Sequence, residues 1–126
     1  MKRKEEMKTI FCAKRKKWIG VDLDGTLAYY EKFEGADKIG EPIEKMTERV
    51  KKWLEEGKDV RILTARVSGD GKDVEVARKA IEKWCEEVFG KKLPITCEKD
   101  QMMEELWDDR AIQVEKNTGN RIDGKD

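Results

Sequence analysis

Histidine is missing from this chain of 126 residues, and that absence removes a whole branch of chemistry. Ser-His-Asp and Cys-His catalysis both need an imidazole to relay a proton, and a zinc site seldom forms without one. Cysteine is scarce: Cys12, Cys85 and Cys97 are an odd set with no C-x-x-C spacing. With no leader-like or membrane-length apolar run, they read as reduced thiols of a cytoplasmic protein that does not touch the membrane. Net charge is absent as well, since 28 Lys and Arg face 28 Asp and Glu. A balanced chain has no global pull toward nucleic acid or lipid. What remains for chemistry is carboxylate, lysine, arginine and hydroxyl, a set that suits a hard cation bound by oxygen.

Charged residues make up 44% of the chain and apolar ones 37%, which predicts one compact core under an ionic surface. The balance of charge is not local. Residues 1–16 are a basic segment, with Lys2, Arg3, Lys4, Lys8, Lys14, Arg15 and Lys16 against Glu5 and Glu6. It reads either as a solvated arm or as a surface for phosphates. Within it, KTIFCA (8–13) is a candidate edge strand. Residues 17–116 form the expected domain, and 117–126 a tail with little to bury.

Lys17–Leu23 has the near-continuous apolar character of a buried parallel strand. Residues 28–40, with Tyr29, Tyr30 and Phe33, lack helical periodicity and read as a hairpin or flap. Pro42 suits the first turn of a helix whose apolar face is Ile43, Met46, Val50, Trp53 and Leu54, closed by Gly57. Asp59–Leu63 is a second strand. Val74, Ala77, Ile81, Trp84, Cys85 and Val88 mark a second helix, running to about Gly90. Leu93–Cys97 is a short third strand. A brief helical turn at about 100–105 is then expected, leading to Leu106-Trp107.

Strands alternating with helices predict a three-layer, Rossmann-like α/β domain with a parallel sheet. Ligands of such sheets bind beyond the carboxyl ends of the strands. Each unusual polar cluster here falls at one of those ends: Asp22/Asp24, Thr64/Arg66, Lys99 and Asp108/Asp109. Taken singly they have plain structural readings. Gly25 would supply an awkward turn angle, Thr64 a loop cap, and Lys99 a surface charge. Four such clusters at successive strand tips instead point into one crevice. Two carboxylates crowded together raise each other's pKa, a cost that a shared cation would relieve.

DLDGT at 22–26, LTAR at 63–66, Lys99 and WDDR at 107–110, in that order, resemble the four motifs of the haloacid dehalogenase superfamily. The resemblance spans residues 17–116. That superfamily is dominated by magnesium-dependent phosphohydrolases that pass through an aspartyl-phosphate. The resemblance implies Asp22 as nucleophile and Asp24 as acid and then base. It implies Mg2+ held by Asp22, the Asp24 backbone carbonyl, Asp108 and Asp109. Thr64, with Gly25 and Thr26 in the first-motif loop, is implied to bind the phosphoryl group, and Lys99 to neutralise charge in the transition state. Dehalogenase members lack the second aspartate, so Asp24 favours phosphate chemistry. One departure stands out: Lys99 lies nine residues before Asp108, where many relatives carry a full helix. Lys92 and Arg110 are the alternative cations.

Asp22 and Thr64 are 42 residues apart and Thr64 and Lys99 are 35 apart. One helix and a loop fill each gap, which leaves no room for a cap domain. An open site suits bulky phosphorylated substrates. The Thr-x-Arg tip with a later Asp-Asp-Arg is similar to the 3′-phosphatase half of phage-type polynucleotide kinase/phosphatases. That similarity implies a nucleotide or nucleic-acid 3′-phosphate end as substrate. Arg66 would then contact a phosphate through its fork; its structural alternative is a salt bridge to the acid-rich surface. A noncatalytic phosphate- or protein-binding module and a phosphotransferase are the competing functions.

Overall fold

A computed structural model describes residues 16–125; the candidate strand at 8–13 lies outside the described residues. Four parallel strands, β1 (Trp18–Asp22), β2 (Asp59–Leu63), β3 (Ile95–Thr96) and β4 (Met103–Trp107), form one sheet in the order β3-β2-β1-β4. Helix α1 (Glu44–Glu55) joins β1 to β2, and α2 (Lys72–Phe89) joins β2 to β3. Both crossovers step the same way along the sheet. Right-handed connections therefore place both helices on one face.

The sequence pattern explains that face. Ile19 and Val21 of β1 and Val60 and Ile62 of β2 alternate onto it. They pack in one cluster with Met46 and Val50 of α1 and Ala77, Ile81, Trp84 and Cys85 of α2. Helix α1 begins just after Ile43, whose N–H donates to Leu27 O, and it closes at Gly57, φ +78. Pro42 falls just outside the helix, in a bridge with Ala28. Asp73 and Glu75 sit in the first turn of α2, where the helix dipole favours them. Burial pushes the Cys85 thiol up to about 11, which keeps it neutral in the core.

The other face carries Trp18, and there the structure departs from the sequence reading. The turn expected at 100–105 is only Gln101-Met102, and β4 begins at Met103. Geometry accounts for this. β3 and β4 lie at opposite edges of the sheet, three strand spacings or about 14 Å apart, and the chain must also descend four residues, about 13 Å. That diagonal is roughly 19 Å. Seven Cα steps cover roughly 23–25 Å when extended and only roughly 10 Å as a helix. The connection is therefore extended and forms the third layer across the sheet. It is anchored where Trp18 Nε1 donates to Asp100 Oδ1 at 2.8 Å, with Arg61 stacked 4.6 Å from the Trp18 ring centroid. Trp18 is 1% exposed. One irregularity between Trp18 and Ile19 in the β1–β4 register takes up Glu104.

After β4 the chain turns back on itself: Glu115 N–H donates to Asn120 O and Ile122 N–H to Gln113 O. The tail thus folds back over a tight turn. No helix of the described residues is long and apolar enough to cross a membrane. The described residues form a Rossmann-like α/β domain with no cap among them.

Candidate active site

Because all four strands are parallel, their carboxyl ends share one edge. The register puts Asp22 beside Leu63, Leu63 beside Thr96, and Val21 beside Trp107. The residues that follow each strand therefore meet in one cleft of about 700 Å³. Asp22, Asp24, Thr64, Arg66, Asp108 and Asp109 all line it. Gly25 and Thr26 are not among the lining residues; they lie in the turn after β1, where Leu23 O accepts from the N–H groups of Thr26, Leu27 and Ala28.

Asp22, Asp108 and Asp109 each offer a carboxylate oxygen within 4.8 Å of the others. A single buried hydroxyl links Asp22 to Asp109. Thr26 Oγ accepts from Asp109 N–H at 2.9 Å, and it lies 3.0 Å from Asp109 Oδ1 and 3.3 Å from Asp22 Oδ2. Its one hydrogen serves one carboxylate at a time, so the turn after β1 is stitched to the tip of β4. Gly25 makes this approach possible: it holds φ +90 and faces the Asp109 carboxylate. Burial raises Asp22 from its ordinary value to about 7, with the charges of Asp108 and Asp109 adding to the effect. Three oxygen donors that cannot all ionise comfortably are a donor set fitted to a hard divalent cation such as Mg2+. Asp24 stands apart from this trio.

Arg66 takes up both Asp24 oxygens: Nε donates to Oδ2 at 2.8 Å and Nη2 to Oδ1 at 3.0 Å. Its other nitrogen, Nη1, donates to Gly35 O and Ala36 O. Of the two sequence readings for Arg66, the salt bridge is the arrangement present. Thr64, 3% exposed, accepts from Arg66 N–H at 3.2 Å and caps the short turn Ala65–Val67, which leaves its hydroxyl hydrogen free to donate.

Lys99 is placed differently. It lies on the extended connection, is exposed, and is not among the residues lining the cleft. The structure leaves it outside the cluster of the other candidates. Lys92 is held by Glu82 at 3.9 Å, whereas Arg110 lines the cleft. The cleft also contains Tyr30, Phe33, Asp73 and Cys97, of which sequence reading singled out only the aromatic pair. Asp73, in the first turn of α2, and Cys97, just past β3, carried no sequence signal for this cleft.

The arrangement gathers an acidic cluster, a buried hydroxyl and two arginines, Arg66 and Arg110, at a strand-end crevice, which is a chemistry suited to metal binding or phosphate handling. In overall fold the chain is similar to a conserved protein of Bacteroides thetaiotaomicron of known structure, with TM-score 0.51 and 22% identity over 76% of this chain and 78% of that one. At that identity the likeness speaks for the fold alone. No family model matches the chain, and no curated protein matches it.

Proposed function

We propose that this chain is a magnesium-dependent phosphomonoester hydrolase of the haloacid dehalogenase type, acting through an aspartyl-phosphate on Asp22. The observation that carries the reading is the Asp22–Asp108–Asp109 cluster at the tips of adjacent parallel strands, in which Thr26 ties Asp22 to Asp109. A bound Mg2+, held by these three carboxylates and by the Asp24 carbonyl, would supply charge neutralisation between anionic nucleophile and anionic ester. The chain's own groups do the rest. Asp22 oxygen bonds to phosphorus as the ester P–O bond breaks, and Asp24 passes a proton to the departing oxygen. Water then attacks the aspartyl-phosphate, gives its proton to Asp24, and releases Asp22. Thr64 donates to a phosphoryl oxygen, and Arg110 adds a positive charge at the rim.

The substrate class follows from the cleft's open wall. Tyr30 and Phe33 line it while 42% and 59% exposed. Exposed rings beside a phosphate site suit a stacked base, which supports a nucleotide or a nucleic-acid 3′ end. The test is phosphate release from p-nitrophenyl phosphate and from a 3′-phosphorylated oligonucleotide, with and without Mg2+, beside Asp22→Asn. Mg2+-dependent release that the variant abolishes is the expected result, with the oligonucleotide preferred. Release that survives in Asp22→Asn would end the aspartyl-phosphate reading, and Mg2+ binding without any release would favour a binding module.

A further inference from the structure

Arg66 is the most heavily engaged side chain in the cleft. It is 8% exposed. Its guanidinium makes four hydrogen bonds, two to Asp24 and two to the carbonyls of Gly35 and Ala36, and its Cζ lies 5.3 Å from the Phe33 ring centroid. Of five N–H groups, one is left. The fork that would grip a phosphate is closed on a carboxyl group of the same chain.

Building on the hydrolase reading, we propose that Arg66 is a positioning residue for proton transfer by Asp24 and not a ligand of the phosphoryl group. An aspartate side chain turns about two bonds, and a two-point contact with a planar guanidinium fixes both. Each Asp24 oxygen keeps a further lone-pair site beyond the fork, and it is there that a proton is carried. The same arginine ties the 33–36 loop to Asp24, so the cleft wall and the acid–base group are set by one side chain. Lysine could not replace it, because an ammonium makes no planar fork.

The consequence is selective. Forming the aspartyl-phosphate from an alkyl ester requires a proton on the departing alkoxide. A p-nitrophenolate leaves without one. We therefore compare kcat/KM, which reports the first step, for glycerol 2-phosphate and p-nitrophenyl phosphate in wild type, Arg66→Ala, Asp24→Asn and the double variant. Removing a positioned acid typically costs on the order of 10²-fold or more, so Arg66→Ala should lose about that on the alkyl ester. On the aryl ester its loss should be at least about ten-fold smaller. The double variant should lose no more on the alkyl ester than Asp24→Asn alone, since coupled residues are not additive. Equal losses on both esters, or additive losses in the double variant, would overturn the proposal and return Arg66 to a phosphate-binding or purely structural role. If Arg66→Ala does not fold, Arg66→Gln carries the same comparison. A wild type that releases no phosphate from either ester or from the 3′-phosphorylated oligonucleotide would instead defeat the hydrolase reading itself.

Discussion

At Gly25 the backbone holds φ +90, and a Cβ placed there would lie 2.6 Å from Asp109 Oδ2. Gly25→Ala therefore meets two penalties: a left-handed angle costing about 1–2 kcal/mol and a collision with a carboxylate of the proposed cation site. It should unfold at lower denaturant and bind Mg2+ more weakly, the second measured by isothermal titration. Thr26→Val separates the two effects. Valine keeps the shape but leaves Asp109 N–H without its acceptor, at about 1–3 kcal/mol, and removes the one contact that lowers the Asp22 pKa. Mg2+ affinity should fall while the turn itself persists. An unchanged affinity in Thr26→Val would mean that the hydroxyl does not organise the cluster. At this scale the aspartates were legible from the sequence, because an apolar strand ending in Asp-x-Asp-Gly-Thr has few uses. The Arg66–Asp24 pair was not. Its partners are 42 positions apart, and nothing in the composition around Arg66 selects one acid among 28.

Among the elements, the extended connection between β3 and β4 has the most consequence. Its length alone, six residues, was readable as too short for the usual helix. What it becomes depends on where its two strands sit in the sheet, which no local pattern encodes. Glu104 and Glu105 are poor strand formers; the pairing of Met103, Glu105, Leu106 and Trp107 with β1 overrides that preference and carries the unpaired Glu104 along. Lys99 is carried onto the sheet face as a result, and Arg110, just past β4, remains at the cleft. For the proposed hydrolase, Arg110→Ala should raise KM several-fold, while Lys99→Ala should change kcat/KM by less than about two-fold. The reverse ranking would show that the connection moves when substrate binds. The helices were legible almost to the residue because their apolar faces repeat at the helical period. Ile81, with no exposed surface, should lose about 2–5 kcal/mol on Ile81→Ala, checked by urea unfolding.

For the molecule as a whole, the proposed cation site would couple stability, pH and cation binding through Asp22. In the metal-free fold its carboxyl titrates near 7 instead of at 3.8, chiefly because it is buried. The folded state then holds a proton that the unfolded state has already released between those two values. The stability this gives is fully present below about 3.8 and is lost as pH rises through about 7. Without divalent cation, the melting temperature of wild type should therefore fall from pH 5 to pH 8 more steeply than that of Asp22→Asn, which cannot ionise there. The difference between the two proteins isolates Asp22 from every other titrating group. Adding Mg2+ should act in the opposite sense. A cation binds the ionised carboxylate and displaces its proton, so the Mg2+-induced rise in melting temperature should be small at pH 5, larger at pH 8, and much reduced in Asp22→Asn. Parallel pH slopes in the two proteins would show that Asp22 ionises at its ordinary value, and a Mg2+ effect independent of pH would place the cation away from it. The crowding of carboxylates at one edge of the sheet is then a feature the fold tolerates at low pH unaided, and at neutral pH with a cation between them.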